Sequence, residues 1–431
     1  MLLSALDLLL TVPSLLALVG GAVFGVIIGV LPGLGPAVGV SLALPLTMGM
    51  GQVPAIAMLL GIYAGSVYGG SVTAILINTP GTPSSAASCL DGYPMARQGR
   101  VGEALGIAAL ASVFGGVFST IVLAFSAPTL AKWALEFGPG EMLALVIFSL
   151  TCIASVSSGS IIKGLLAGVL GLFLTVIGQD VFTGEVRFSF GIFELSGGLS
   201  LVPLLVGLFA LSEVFWRIGE HAEGGTPTIP PSSFAFPTWA LLRRMGPTLV
   251  KSSIVGTILG ILPGIGPTTA SFVSYGEARR SSPHPERFGK GSEEGLAASE
   301  TANNAVTGGA LVPTLALGVP GDPITAILLG ALMIQDIAPG PRLFLQHGDL
   351  VMAIFLALLL VNLLLLPIAR YCSTFWRRIL MLPEPLLMAI VTMLIGVGIW
   401  TLNNSVLDMV TVFVAGVAGF LMRRAGFPLA P

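Results

Sequence analysis

From Leu8 to Leu90 the chain carries no charged side chain, yet this apolar stretch is cut by Leu31-Pro-Gly-Leu-Gly-Pro36, and the cut recurs as Leu262-Pro-Gly-Ile-Gly-Pro267. Proline removes a backbone donor and clashes with the preceding turn, while glycine tolerates left-handed conformations that open a helix, so Pro32, Gly33 and Gly35, and again Pro263, Gly264 and Gly266, mark helix breaks. In hydrocarbon such backbone survives only where protein buries it or where it lines a polar cavity. Two matched interruptions, one in each half, point to a transport site.

Only 9% of the 431 residues are charged and 54% are hydrophobic, against about a quarter charged in a soluble domain. The apolar segments are too long and glycine-rich for the ten-residue alternation of an outer-membrane barrel. The expected fold is therefore an all-α polytopic membrane protein with internal inverted repeats and broken or re-entrant helices. A net charge of −2 gives no reason to expect nucleic acid as a partner; the lipid bilayer is the partner implied. Cys89, Cys152 and Cys372 are scattered without pair spacing and read as small packing residues. The N-terminus lacks a charged flank and a convincing cleavage site, so its apolar run is expected to be the first helix.

Apolar segments are expected at about 8 to 31, 36 to 50, 53 to 78, 104 to 130, 141 to 162, 164 to 178 and 197 to 216. A proline-rich polar stretch, 217–246, reads as a linker between a first membrane repeat within 1–216 and a second within 247–431. The second half repeats the plan, with a polar insertion from Glu277 to Glu294, a span from about 295 to 318, and final spans at about 350 to 369, 386 to 402 and 406 to 422.

Each half also holds a second break, Asn78-Thr-Pro-Gly-Thr-Pro-Ser-Ser85 and Val319-Pro-Gly-Asp-Pro-Ile-Thr325. Thr82 and Asp322 can cap a new helix whose first residue is proline. The free amides and positive end of such a helix suit a carboxylate, without an arginine that would be costly at that depth. Asn78, Thr79, Gly81, Thr82, Ser84, Ser85, Gly321, Asp322 and Thr325 are the candidate substrate-binding residues. Asn303, Asn304 and Asp322 are candidates for a coupling ion, sodium being favoured over a proton because freed carbonyls and amide oxygens suit it. The plainer alternative is that Asp322 only caps a helix, and that these glycines and prolines only permit close packing and kinks.

Basic residues test the orientation of the repeats. In the first half the segment joining the breaks is uncharged, and Arg97 and Arg100 follow the second break; in the second half the joining segment carries Arg279, Arg280, Arg287 and Lys290, and only Arg342 follows. The basic positions swap sides, which favours inverted topology with the N-terminus outside. His221, His284 and His347 lie in polar loops without ligand spacing, so no metal site and no cofactor are expected. No hydrolytic constellation and no phosphate-cradling Gly-x-x-x-x-Gly-Lys loop is present, so an enzyme is not expected.

Taken in order, Leu31–Pro36, Tyr68-Gly-Gly-Ser71, Asn78–Pro83, Leu262–Pro267, Asn303-Asn304, Val319–Asp322, Gly330-Ala-Leu and Pro339-Gly-Pro341 resemble the TctA family, the large membrane subunit of tripartite tricarboxylate transporters. The resemblance runs from about residue 5 to the end. It implies a multi-pass permease of the bacterial inner membrane that works with a small membrane subunit and a periplasmic solute-binding protein, moving carboxylates by ion-coupled secondary transport. Family members continue with further apolar sequence beyond the segment matching Gly426–Pro431, so a shortened C-terminus is expected. Other readings are a self-sufficient permease or channel, a membrane scaffold, or a membrane-embedded enzyme.

Overall fold

The computed structural model describes residues 2–141, 143–145, 147–148, 161–180, 183–220, 234–373, 375, 383–427 and 429. Cys152, most of the 141–162 segment, the Gly224–Pro231 stretch, Arg377 and Arg378 lie outside the described residues. In the first half the helices are α1 (Leu2–Leu9), α2 (Val12–Val30), α3 (Gly35–Thr47), α4 (Gln52–Ile77), α5 (Ala86–Arg97), α6 (Val101–Ala134), α7 (Ile161–Thr175) and α8 (Leu201–Gly219). The second half gives α9 (Trp239–Ile261), α10 (Gly266–Ser281), α11 (Glu293–Leu317), α12 (Pro323–Ile334), α13 (Pro341–Gln346), α14 (Gly348–Cys372), α15 (Glu384–Asn403) and α16 (Val406–Arg424). Seven described helices are long and apolar enough to cross a membrane. Strand structure among the described residues is one two-residue antiparallel pair, Gly178–Gln179 with Val186–Arg187. The fold is that of an all-α polytopic membrane protein.

Two sequence expectations change. The first apolar segment is split near Thr11, whose side chain accepts the Ser14 amide and caps α2, so α1 stands apart. Helix enters both ends of the stretch expected as a linker over 217–246, since α8 runs to Gly219 and α9 starts at Trp239. Thr238 caps α9 by accepting from the Leu241 amide, which makes the last residues of that stretch helical.

The chain divides into two compact units. One comprises residues 1–40, 49–137 and 224–382 and so contains both second breaks; the other comprises 41–48, 138–223 and 383–431. In the larger unit α4 is almost wholly buried, 94% over its apolar window. Its contact with α2 is set by glycines four residues apart on both helices: Gly21, Gly25 and Gly29 face the carbonyls of Met58, Ile62 and Ser66, and Gly61, Gly65 and Gly69 face those of Leu18, Ala22 and Val26. A Cβ at Gly25 would sit 2.5 Å from the Ile62 oxygen, so the backbones touch only because no side chain intervenes. In the smaller unit Glu213 on α8 takes ion pairs from Arg217 and from Arg423 of α16, whose guanidinium stacks 4.3 Å over the Trp216 ring.

Candidate transport site

Helix α2 ends at Val30 and α3 begins at Gly35; α9 ends at Ile261 and α10 begins at Gly266. Gly33 and Gly35 have φ of 84° and 58°, and Gly264 and Gly266 have 87° and 70°. The chain thus turns through the left-handed region at the same two positions of each motif, where glycine carries no steric cost.

The second breaks match equally closely. Helix α4 ends on Asn78 and α11 on Gly318, both left-handed, and each lies four residues before the residue that starts the next helix, Thr82 or Asp322. Asp322 accepts the Thr325 amide at 2.7 Å, and its own amide donates to the Thr325 hydroxyl at 2.9 Å. In the first half the Thr82 amide donates to the Ser85 hydroxyl at 3.3 Å, and Thr82 and Ser84 share a 3.0 Å hydroxyl contact. Within each half the two breaks are joined by one backbone hydrogen bond: Gly33 N–H donates to the Gly81 carbonyl at 3.2 Å, and Gly264 N–H donates to the Gly321 carbonyl at 2.9 Å.

The candidate residues therefore separate by environment. Thr82, Ser84, Ser85, Asp322 and Thr325 are buried, and the hydrogen bonds just described tie them into the turns. Asn78 and Thr79 are exposed. Gly81 and Gly321 are not spaces held open for a ligand: a Cβ on Gly81 would strike the Gly29 carbonyl, and one on Gly321 would fall 2.6 Å from the Ala310 Cα. Asp322 is the helix cap that sequence admitted, and it also accepts a 2.6 Å hydrogen bond from the Tyr63 hydroxyl on α4. This contact ties a residue of the first half to the break of the second.

Asn303 and Asn304 lie within α11 rather than at its broken end, and both are fully buried. Their neighbour Glu300, which sequence reasoning passed over inside a presumed apolar span, is fully buried as well. Its carboxylate accepts from Ser88 of α5 and, at 3.4 Å, from Ser112 of α6, while Asn304 donates to Ser112 at 2.8 Å. A signal was available: Glu300, Asn303 and Asn304 recur at i, i+3 and i+4, one face of a helix.

Residues 15–431 match the model of the tripartite tricarboxylate transporter TctA family. An uncharacterized 52.8 kDa protein of Agrobacterium vitis, in the TAR-I ttuC' 3' region, is 39% identical over 388 residues, 90% of this chain and 77% of that protein. An uncharacterized protein in the TAR-II ttuC' 3' region of the same organism is 34% identical over 176 residues, 41% of this chain and 73% of that protein. No solved structure matches the chain. With nearly its full length matched and its breaks repeated in kind and order, the chain belongs to the tripartite tricarboxylate transporter TctA family.

Proposed function

We propose that this chain is the large permease subunit of a tripartite transporter in the bacterial inner membrane. It receives a carboxylate from a periplasmic solute-binding protein, works beside a small membrane subunit, and couples uptake to an ion gradient, sodium in preference to protons. The observation that carries the reading is the repeated hydrogen bond between breaks, Gly33 to Gly81 and Gly264 to Gly321. Interrupted helices in corresponding positions of the two halves are the architecture secondary transporters use for a site near the midplane.

The inverted relation of the repeats has support of its own. Gln98, just past α5, donates to the Lys290 carbonyl in the α10–α11 loop, and Gln52, at the start of α4, donates to the Gln335 carbonyl just past α12, both at 2.8 Å. The entry to the long helix of each half thus meets the exit of the other half, as two antiparallel repeats require. In this reading Asn78 and Thr79 meet the carboxylate, while Gly81, Thr82, Ser84, Ser85, Gly321, Asp322 and Thr325 hold the helix starts in place. A single cysteine at Ser282 is expected to label from the cytoplasm, and one at Gly51 from outside.

The test is uptake into proteoliposomes holding the complete membrane complex, with candidate binding proteins and carboxylates and with sodium and proton gradients imposed separately. Uptake should require a binding protein and a sodium gradient, and alanine at both Asn78 and Thr79 should raise the apparent KM about tenfold or more, the worth of one lost contact to a charged group. Full uptake without any binding protein would establish a self-sufficient permease instead.

A further inference from the structure

The geometry points to a sodium site at the junction of α4, α5, α6 and α11, with the Glu300 carboxylate as its one anionic ligand and Ser88, Ser112 and Asn304 as neutral oxygen ligands. It rests on the ion-coupled reading above and gives that coupling a place. Asp322 is not part of it: Gly321 packs at the level of Ala310, ten residues beyond Glu300 on α11, about 15 Å along a helix axis.

Glu300 poses the problem that the site solves. A carboxylate inside a membrane bundle needs a compensating charge or a reason for its cost. Its hydrogen-bond partners among the described residues are hydroxyls, Ser88 and Ser112 among them, rather than a basic side chain. Ser88 in turn contacts the Ser299 hydroxyl at 3.0 Å, so oxygen atoms from three helices gather at one acid.

The choice of ion follows from polar atoms that protein leaves unmatched. Asn304 spends its Nδ2 on Ser112 and on the Glu300 carbonyl, and its Oδ1 has no protein partner. Neither side-chain polar atom of Asn303 has one, nor does the hydroxyl of Tyr68. All three residues are fully buried. A proton on Glu300 would neutralise the acid but leave the buried Asn304 Oδ1 unmatched, a cost that a cation bound there removes. A hard cation takes lone pairs from the carboxylate, the hydroxyls and the amide together. One carboxylate balances one positive charge, so a divalent ion would leave net charge in an apolar surround. Close packing favours sodium over the larger potassium.

The position also suggests how binding is felt elsewhere. Ser88 lies on the helix that follows the first half's second break, whereas Glu300 and Asn304 lie on the helix that precedes the second half's. A cation held between them fixes α5 against α11, and so fixes the two breaks relative to each other.

The test is equilibrium binding of radioactive sodium to the purified full chain in nanodiscs, with thermal unfolding in sodium against choline. Saturable binding and a rise in the unfolding midpoint are expected for the wild type. Glu300→Gln should abolish both, and Ser112→Ala and Asn304→Ala should each weaken binding about tenfold, with potassium a poor competitor. If Glu300→Gln does not fold, the two milder variants decide. Unchanged sodium affinity in either folded Glu300→Gln or both milder variants overturns the site, as does a wild type whose midpoint follows pH and ignores sodium. Uptake separates this from the wider reading. Sodium-driven uptake with unaltered sodium binding in Glu300→Gln removes the site and keeps the coupling; sodium binding lost in Glu300→Gln, with ion-independent wild-type uptake, keeps the site and removes the coupling.

Discussion

The two places where one half of the chain meets a loop of the other are built very unequally. At one, Asp91 of α5 accepts through a single Oδ1 from the amides of Gly289, Gly291 and Ser292, at 2.8 to 2.9 Å. Arg100 and Arg244 both pair with Glu293, and Gln98 reaches the Lys290 carbonyl. At the other, the Gln52 side chain makes one exposed hydrogen bond to the Gln335 carbonyl, beside an open cavity of about 500 Å³ lined by Thr11, Ser14, Gln52 and His347. Sequence symmetry in the breaks therefore does not extend to the ends. Separating the first contact means stripping a carboxylate from three amides, whereas the Gln52 bond at the second is exposed and can be exchanged for water.

The largest effect should come from Asp91→Ala. It leaves three amides without their acceptor, and because only the Ser292 amide is buried while water can reach Gly289 and Gly291, a loss of about 1–3 kcal/mol is expected in unfolding experiments. Asp91→Asn keeps an acceptor oxygen without the charge and should recover part of that loss. Hydrogen exchange at Gly289, Gly291 and Ser292 should rise in Asp91→Ala; unaltered protection there would mean that the loop holds itself and that the tie is incidental.

A smaller effect, with a pH signature, belongs to Glu293, which precedes the apolar part of α11. Burial alone would raise its carboxyl, but the hydrogen bond and charge of Arg100, with the charge of Arg244, hold it below the ordinary value of 4.5. A depressed folded-state value means the ion pair contributes stability above about 4.5 and loses it as pH falls through the folded value. Wild type should exceed Glu293→Gln by about 1 kcal/mol at neutral pH, with the gap closing only in acid. A gap that stayed open well below pH 4 would show that the difference is packing rather than charge.

How much of this the sequence could tell depends on the range of the forces involved. The breaks were legible because proline and glycine act on their own turn: Pro32 and Pro263 stop helices, and Thr82 and Asp322 start them. The close approach of α2 and α4 was not read from the sequence: their glycines recur every four residues, but which helix faces which is settled by tertiary packing. The role of Asp91 was not legible, because its amide donors lie about 200 residues away. Glu300 was hidden because the span was read whole as apolar: it lies among small and apolar residues of α11, beyond the two acids of the first turn, and only its spacing to Asn303 and Asn304 marks it.

The smallest expected effect sharpens the comparison most, because it has to be nearly zero. Gln52→Ala removes the side-chain donor from the Gln335 carbonyl, the hydrogen bond that joins the α4 entry to the α12 exit. That bond is exposed, so water replaces the lost partner and no desolvated group is left behind; exposed substitutions of this kind stay within about 0.5 kcal/mol. Unfolding stability should therefore match wild type, while exchange at Gln335 and Asp336 should already be faster in wild type than at Gly289 to Ser292. If Gln52→Ala instead cost as much as Asp91→Ala, the weak end would be as firmly held as the strong one. The inequality would then belong to the count of hydrogen bonds and not to the energy needed to open either side.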